Sequence, residues 1–422
     1  MENKEKTVYI GITGDIIHPG IISIIQKGST YGRLIVGLLT DSAIVTHKRL
    51  PYLTYEQRKN VIENIKGVSE VIPQNEWSYI PNLKKLKPNY IIHGDDWKTN
   101  YLQKLRVEVY DLMKEIGGEV IEVPYTKGID SDKLLENAKN IGTNPDIRLK
   151  SLRRLINSKS IVRILEAHSC LSALIIENLE VEKDDGIHRF DGIWSSSLMD
   201  STDKGKPNIE VVDLTTRLHT LTEILESTTK PIIYDVDILS NPAHFAYTVK
   251  ILERNGISAV VVDDKNCKNN LDEFCNIIKE GKKGQITQDF IIFARMNGFL
   301  EGKSVEEVKK KAVACIMSGA DGILVKSTSK DGVDVKEFCQ ILKKEYPKIP
   351  IAVISSSFNQ ITEGELVQWG VNIIIYEDQM LRASYPAMKK CAEEILKYER
   401  SLEVNNLCMP IKEILTLIPG TS

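Results

Sequence analysis

The chain has 422 residues, of which 42% are hydrophobic and 27% are charged, as in ordinary globular proteins. Lys plus Arg number 55 and Asp plus Glu 58, so the formal net charge of −3 argues against a dedicated nucleic-acid binder. Apolar runs are too short for a membrane helix, and the charged N-terminus has no apolar stretch. Seven separately spaced cysteines favour reduced thiols in a cytoplasmic protein and argue against disulfides or a zinc site.

The first 125 residues alternate between apolar runs and helical patterns such as 55–65 and 101–116. The apolar runs are 8–13, 34–39, 68–72, 90–93 and 120–123. This alternation predicts a parallel, doubly wound, Rossmann-like sheet with helices on both faces. Its ligand is expected beyond the carboxyl ends of the strands.

A polar and basic stretch at 127–155 follows, carrying Arg148, Lys150, Arg153 and Arg154. We interpret it as the end of the first domain plus a connecting helix. The predicted organisation is a first domain at 1–145, a linker at 146–160 and a second domain at 161–422. The basic run is either a phosphate or partner contact or a solvated helix face, and we favour the solvated face.

Eight apolar runs occupy the second half, with helical patterns such as 244–255, 305–318 and 335–345 between them. The runs are 161–165, 190–194, 231–234, 259–262, 290–294, 322–325, 351–354 and 372–376. Eight strand–helix units in this length are typical of a (β/α)8 TIM-type barrel, with an open sheet as the alternative. The tail at 401–422 contains an amphipathic stretch at 411–418, which fits a closing helix or a subunit contact.

A turn of small residues follows the first predicted strand and leads into a helix. It runs from Gly11 through Asp15 and His18 to Gly20. Such a turn places backbone N–H groups and a helix N-terminus beside a phosphate. His18 can donate to a phosphate oxygen, although a lone histidine is more often structural.

These residues resemble the cytidylyltransferases, whose H-x-G-H motif is matched at His18 and Gly20 but has Ile21 in place of the second histidine. The resemblance implies a nucleotide site, with CTP as its ligand, formed by Gly11, Asp15, His18, Gly20, Arg58 and Asp95. Ile21 offers no donor to the triphosphate, and Asp130 and Asp132 stand where the family closes its site. The departures imply weak nucleotide binding or a scaffold, with an active transferase as the alternative.

All eight predicted strand ends of the second half carry polar groups, where barrel enzymes place their active sites. These are Glu166 and His168; Ser195, Ser196 and Ser197; Asp235 and Asp237; Asp263, Asp264 and Lys265; Arg295 and Asn297; Lys326 and Ser327; Ser355 to Ser357; and Glu377 and Asp378. Carboxylates at neighbouring strand ends suit Mg²⁺. Arg295 suits a carboxylate or phosphate bound through two hydrogen bonds. Internal ion pairs that close the barrel are the alternative.

The order of these motifs resembles the phosphoenolpyruvate mutase branch of the isocitrate lyase superfamily. The resemblance implies a barrel that exchanges its last helix in an oligomer, and Mg²⁺-dependent interconversion of phosphoenolpyruvate and phosphonopyruvate. Carried onto this sequence, it implies metal ligands Asp235, Asp237 and Asp263, and substrate-binding residues Trp194, Ser196, Ser197, Leu198 and Arg295. The catalytic positions would be Asn208, Asp264, Lys265, Arg295 and Lys326.

Several departures from that family pattern bear on the chemistry. Asn208 replaces an aspartate that acts at the reacting group, Lys326 replaces a histidine, and Asn297 replaces an acid. The gating loop after Lys265 is about a dozen residues short, which weakens the exclusion of water from the site.

Three functions stay open at this point. The first is a mutase of phosphonate biosynthesis. The second is a different Mg²⁺-dependent lyase or hydrolase acting on a 2-oxo acid, and the third is a non-catalytic partner or regulator. The expected ligands are a small anionic 2-oxo acid or phosphonate, Mg²⁺, and CTP at the first domain. We also expect a homo-oligomer, either dimer or tetramer, with no nucleic-acid or membrane partner.

Overall fold

Two parallel sheets organise the chain. The structure, a computed structural model, describes residues 5–98, 102–124, 143–209, 211–236, 242–263, 267 and 270–418. None of the helices in these ranges is both long enough and apolar enough to cross a membrane.

The first sheet has five parallel strands, which confirms the predicted Rossmann-like domain. They are β1 (Thr7–Ile12), β2 (Arg33–Leu39), β3 (Glu70–Gln74), β4 (Tyr90–Gly94) and β5 (Glu119–Val123). Their order across the sheet is β3-β2-β1-β4-β5. Strands β2 and β3 are added on one side of β1, and β4 and β5 on the other, so the strand order reverses between β1 and β4. In open sheets of this kind, ligands bind at that crevice.

Helices cover both faces of this sheet. They are α1 (Pro19–Ser29), α2 (Asp41–Ile44), α3 (Tyr55–Glu63), α4 (Ile80–Leu86) and α5 (Leu102–Ile116), with a 3₁₀ turn at Asp95–Lys98. Thr54 begins α3 with a capping box, because its side chain accepts from the Gln57 N–H while Gln57 bonds back to Thr54. Alternate residues of the strands pack into two apolar cores, one on each face.

The second sheet closes into a barrel of eight parallel strands, so the closed fold is confirmed over the open sheet. The barrel strands are β6 (Val162–Glu166), β9 (Gly192–Ser195), β10 (Ile232–Val236), β11 (Ala259–Val262), β12 (Ile291–Met296), β13 (Gly322–Lys326), β14 (Ile351–Ile354) and β15 (Ile373–Tyr376). One core fills the barrel interior, and a larger one lies between the strands and the surrounding helices. The interior is therefore packed, as in other barrels of this type.

The helices that follow the first domain run in chain order as α6 to α16. They are α6 (Pro145–Ser158), α7 (Cys170–Asn178), α8 (Ser197–Asp203), α9 (Leu214–Ser227), α10 (Pro242–Arg254), α11 (Leu271–Gly284), α12 (Val305–Met317), α13 (Val333–Glu345), α14 (Glu363–Trp369), α15 (Gln379–Tyr398) and α16 (Ile411–Leu417). Short 3₁₀ turns lie at Gly298–Glu301 and Leu402–Val404.

Helix α6 occupies the segment that we assigned as the linker, and it joins the two domains through its basic side chains. Arg148 is buried and donates to the carbonyl oxygens of Leu225 (3.0 Å) and Thr228 (2.9 Å). Arg154 donates to Asp41 at 2.7 Å in the first domain. The prediction of a solvated basic face was therefore wrong for these two residues, which serve as contacts within the protein. The domain limits at 145 and 160 stay a prediction.

An antiparallel hairpin, absent from the sequence prediction, lies between the first two barrel strands. Its strands are β7 (Glu180–Lys183) and β8 (Gly186–Arg189). The Ile187 N–H donates to the Thr46 carbonyl oxygen at 3.3 Å, and Arg189 donates to the His47 carbonyl oxygen at 3.2 Å. The hairpin thus forms a second link between the barrel and the first domain.

Candidate active site at the carboxyl end of the barrel

The alternation of side chains along the barrel strands places one layer of polar groups inside the barrel mouth. Trp194, Ile233, Val261 and Phe293 belong to the interior core. Residues two positions further along a strand point to the same face. The next inward positions are polar on every strand, namely Glu166, Ser196, Asp235, Asp263, Arg295, Lys326, Ser356 and Glu377. The sequence-predicted ring is therefore brought together at one end of the barrel.

Arg295 lies between the two carboxylates of neighbouring strands. Its Nη1 is 3.7 Å from Asp235 Oδ1, and its Nε is 3.7 Å from Asp263 Oδ2. Both distances are too long for hydrogen bonds, and the buried Nε has no hydrogen-bond partner among the described residues. Asn297 fixes Asp263 by donating from Nδ2 to Oδ1 at 2.5 Å. The three charged groups face one another with donor capacity left on Arg295.

Arg217 on α9 supports this end of the barrel from outside, and the sequence analysis missed it. Its guanidinium donates to the backbone carbonyl oxygens of Asp235 (2.6 Å) and Ser195 (3.2 Å). Its Nε forms an ion pair with Asp200 at 2.8 Å, and both side chains are only 2% exposed. Burial raises the pKa of Asp200 despite this ion pair. Nothing in the local sequence marks Arg217, because Asp200, Asp235 and Ser195 lie on other elements.

The predicted substrate loop directly follows β9. Trp194 is buried in the barrel interior, and its Nε1 has no hydrogen-bond partner among the described residues. Ser196 caps α8 by accepting from the Met199 N–H at 3.4 Å. Ser197 is buried at the start of that helix, whereas Leu198 is 48% exposed. The loop therefore brings Ser196 and Ser197 to the mouth and directs Leu198 outward.

Glu166 and His168 form a buried pair at the end of β6. The Nδ1 of His168 lies 2.7 Å from Glu166 Oε1, and the Leu381 N–H donates to the other carboxylate oxygen at 3.2 Å. Burial alone would lower the pKa of His168. The hydrogen bond to Glu166 and the nearby carboxylates of Asp203 and Asp200 outweigh burial and raise that pKa above its usual value.

Lys326 and Glu377 form a second charged pair along one side of the mouth, at the ends of β13 and β15. The ammonium group of Lys326 donates to Glu377 Oε1 at 2.5 Å, and Ser356 donates to the same oxygen at 2.9 Å. The sequence analysis left open that ion pairs within the protein close the barrel. On this side of the mouth, Lys326 and Glu377 form such an ion pair. On the side of Arg295, the guanidinium lies 3.7 Å from each of the Asp235 and Asp263 carboxylates.

For the remaining predicted site residues of the barrel, no described contact places the side chain at the mouth. Asn208 is exposed in the turn that follows α8. Asp237, Asp264 and Lys265 lie outside the described residues. Their assigned roles stay predictions.

Two charged residues of the predicted nucleotide site in the first domain form ion pairs and hydrogen bonds within the protein. Asp15 pairs with Arg49 at 3.0 Å and accepts from the Leu53 N–H at 3.2 Å. Arg58 is fully buried, and donates to the Thr13 and Leu39 carbonyl oxygens and to Asp41. Arg58 thus holds the loop after β1 in place.

The other members lie at or near the carboxyl ends of β1 and β4. His18 begins α1, and burial lowers its pKa, so the neutral imidazole is favoured. Gly20 is buried in the first turn of that helix. Gly11 is required by close packing, since a Cβ atom there would lie 2.3 Å from the Tyr79 ring. Asp95 follows β4 and is 3.9 Å from the Lys98 ammonium. The topology therefore brings the predicted set to one crevice.

The donor set at the barrel mouth fits a magnesium ion. Among the described residues, no group of three or more His, Cys, Asp or Glu side chains is close enough to hold a metal. Mg²⁺, however, commonly uses one or two carboxylates and completes its shell with water and substrate oxygens. Asp235 and Asp263 supply two such carboxylates on adjacent strands.

Comparisons with known proteins agree with this arrangement. A sequence profile of the family described as Phosphoenolpyruvate phosphomutase matches residues 152–396, more than half of the chain. The chain belongs to the phosphoenolpyruvate mutase family. A second profile, described as Cytidylyltransferase-like, matches residues 10–163. Both resemblances inferred from the sequence are confirmed, and the family is one of enzymes.

Individual relatives match one domain each. Phosphoenolpyruvate phosphomutase of Tetrahymena pyriformis is 29% identical over 280 residues, which cover 63% of this chain and 89% of the relative. The crystal structure of a phosphonopyruvate hydrolase with oxalate and Mg²⁺ is 25% identical with a TM-score of 0.58, and the match covers 64% of this chain and 94% of that one. Glycerol-3-phosphate cytidylyltransferase of Bacillus spizizenii is 31% identical over 131 residues, 31% of this chain and 94% of the relative.

Proposed function

We propose that the barrel is a phosphoenolpyruvate mutase-type enzyme of phosphonate biosynthesis, which interconverts phosphoenolpyruvate and phosphonopyruvate with Mg²⁺. The observation that carries the proposal is the position of Arg295 between Asp235 and Asp263 on the inner face of the mouth. Similarity to a phosphoenolpyruvate phosphomutase over most of the barrel supports it.

The charges of the mouth suit a small substrate with two anionic ends. Arg295 presents a planar fork of donors that matches a carboxylate or a phosphonate group. Lys326 adds a second cation on the neighbouring strand β13, and Ser196 and Ser197 bring hydroxyl groups from the end of β9. A 2-oxo acid with a phosphoryl substituent carries two anionic groups, which these cations and hydroxyl groups could bind.

Asp235 and Asp263 would hold the magnesium ion, joined by the predicted Asp237. Bound Mg²⁺ would neutralise substrate oxygens and so reduce repulsion between the anionic groups. Arg295 would bind the substrate's anionic end and keep its charge balanced while the phosphoryl group moves. In this isomerisation the P–O bond of phosphoenolpyruvate breaks, a P–C bond forms at carbon 3, and the enol oxygen becomes a ketone oxygen.

A second candidate, hydrolytic cleavage of the C–P bond, rests on the short connection beside the mouth. Helix α11 begins at Leu271, soon after Asp263 at the end of β11. A short connection covers the mouth less completely, and water that reaches the phosphoryl group gives pyruvate and phosphate. The similarity to a phosphonopyruvate hydrolase supports this candidate.

The C-terminal helices support the proposal of a homo-oligomer, either dimer or tetramer. Helix α15 has no buried residue over its whole length, and neither has α16. Their exposed apolar side chains include Tyr385, Leu396 and Ile411. A second copy of the chain would cover these faces, as helix exchange in the family implies. We assign the assembly to the cytoplasm and the first domain to weak CTP binding or a scaffold role.

Phosphorus NMR with phosphonopyruvate and Mg²⁺ tests the activity directly. A growing phosphoenolpyruvate signal is expected, and free phosphate would favour the hydrolase. An unchanged spectrum would contradict both and leave a non-catalytic role. Asp235→Asn should abolish the Mg²⁺-dependent change, whereas Asp111→Asn, an exposed carboxylate of the first domain, should leave it intact.

A further inference from the structure

A cavity at the boundary between the domains carries charges that the barrel mouth does not account for. It lies between the loop after β2, helix α6 and the amino ends of β9 and β10. Its volume is about 100 Å³, well above the ~10–15 Å³ that one water molecule needs on this measure. That space admits a group of several heavy atoms, such as a phosphate or phosphonate. Asp15, His18, Gly20 and Arg58 are not among its lining residues.

The lining of this boundary cavity is strongly basic. Its charged residues are Lys48, Arg49, Arg154, Arg189, Lys230 and a single acid, Asp191. That acid is already neutralised, because Lys159 donates to both of its oxygens, at 2.8 and 2.9 Å. Arg49 and Arg154 are also paired, with Asp15 and Asp41. Lys48, Arg189 and Lys230 supply the remaining positive charge. Glu180 balances it in part through Arg189, and Glu177, which accepts from the lining residue Thr229, balances it in part at Lys230.

Donor groups in the lining are left without acceptors. The buried Nε atoms of Arg154 and Arg189 have no hydrogen-bond partner among the described residues. The Lys230 ammonium carries three N–H donors, one of which bonds to the Phe190 carbonyl oxygen at 2.8 Å. Burial lowers the pKa of Lys230, and the carboxylates of Glu177 and Asp191 offset this effect only in part. Buried donors of this kind are normally satisfied, so the cavity has capacity for an anionic acceptor.

We propose that the boundary cavity binds a small phosphate- or phosphonate-class anion. The anion would accept from Lys230 and Arg189 on the barrel side and attract Lys48 on the side of the first domain. Because Arg189 also bonds to the His47 carbonyl oxygen, an anion here would tie the loop at 45–53 to the barrel. The site is separate from the barrel mouth, so it does not depend on the mutase proposal.

Calorimetric titration of the full chain without Mg²⁺ tests the site, with inorganic phosphate and methylphosphonate as separate probes. We expect saturable binding of at least one probe, and the tighter probe identifies the ligand class. Lys230→Met should weaken binding by at least about tenfold, the worth of one lost charge-assisted bond. Lys336→Met, an exposed lysine of α13, should leave the affinity unchanged.

Two further variants locate the bound anion. Arg295→Met at the mouth and His18→Ala in the first domain should both retain phosphate binding. Loss of binding in either of these with retention in Lys230→Met would overturn the proposal, as would the absence of binding to the native protein. If Lys230→Met does not fold, Arg189→Gln provides the same test. In the native protein phosphate should also raise the unfolding temperature, and in Lys230→Met it should not.

Discussion

The barrel mouth and the first-domain crevice both lie at the carboxyl ends of parallel strands, but they use their charges differently. At the mouth, Arg295 faces Asp235 and Asp263 at 3.7 Å without hydrogen bonds to them. In the crevice, Arg58 is fully buried and is hydrogen bonded to two backbone carbonyls and Asp41. Both Nη atoms of Arg58 donate hydrogen bonds within the protein, whereas the Nε of Arg295 has no acceptor among the described residues. Arg58 therefore stabilises the loop after β1, and the proposed chemistry belongs to the barrel mouth.

The largest expected effect is at the mouth. Arg295→Met should lower the rate of phosphoenolpyruvate formation by about 10³-fold. Loss of one preorganised hydrogen-bond donor to the transition state typically lowers the rate by about 10²–10³-fold. Arg295→Lys keeps the charge but loses the planar fork, so its rate should fall between the two. Phosphorus NMR time courses measure all three proteins. Full activity in Arg295→Met would remove the mouth from the mechanism.

The second prediction concerns stability in the first domain. Arg58→Met should lower the free energy of unfolding by ~3 kcal/mol, because two backbone carbonyl oxygens lose a buried charged donor and Asp41 loses one of its two arginine partners. Arg33→Met is the matched control. Arg33 pairs with Glu70 on the surface, where each side chain is more than 40% exposed, so the loss should be below ~1 kcal/mol.

Urea unfolding of both variants measures the two losses in the free energy of unfolding. Without urea, both variants should retain mutase activity. An equal loss in Arg33→Met and Arg58→Met would contradict the holding role. Lost CTP binding without lost stability in Arg58→Met would restore this residue to the nucleotide site.

The third prediction is a pH dependence at the edge of the mouth. The pKa of His168 is raised in the folded protein, so folding favours the imidazolium form. Its stabilisation is fully present below the unfolded pKa near 6.5 and is lost as pH rises through the folded pKa. Relative to His168→Asn, the native protein should therefore be more stable by about 1 kcal/mol at low pH, and the difference should shrink at higher pH.

Denaturant unfolding at several pH values, together with NMR titration of the His168 ring, measures this effect. His219→Asn, whose ring is 80% exposed, is the control and should show no such trend. A difference that grows with pH would contradict the assignment of the charged form to the Glu166 pair.

The smallest expected effect is at Asn208. Because this residue is exposed beyond α8, Asn208→Asp should change the mutase rate by less than about twofold, the range of ordinary surface substitutions. The short connection after β11 would then limit the chemistry more than the missing carboxylate. A large gain in rate from Asn208→Asp alone would show that the missing carboxylate limits the rate more than the short connection does.

Regular elements were the part of the fold that could be predicted from sequence. Apolar runs bounded by polar turns located all thirteen strands of the two parallel sheets. The signal is strongest in the barrel, where burial on both faces makes the strands almost continuously hydrophobic. The hairpin of β7 and β8 was missed because its strands are short and polar. Its turn signal, Asp184-Asp185-Gly186, was present in the sequence.

The basic side chains of α6 show why contacts were harder to predict than elements. Arg148 donates to carbonyl oxygens on residues 225 and 228, which only the folded chain brings near. Backbone acceptors have no sequence signature, so a buried arginine and a solvated one look alike in a helix. The mouth was easier, because strand alternation alone places Asp235, Asp263 and Arg295 on one face.

Arg217 has a consequence for substitutions at the barrel mouth. Arg217 donates to the backbone carbonyl oxygens of Asp235 and Ser195, and these two bonds do not involve the Asp235 side chain. Replacing that side chain therefore leaves the anchor of its strand end in place. The backbone at the end of β10 is held by a contact that does not depend on the side chain at position 235.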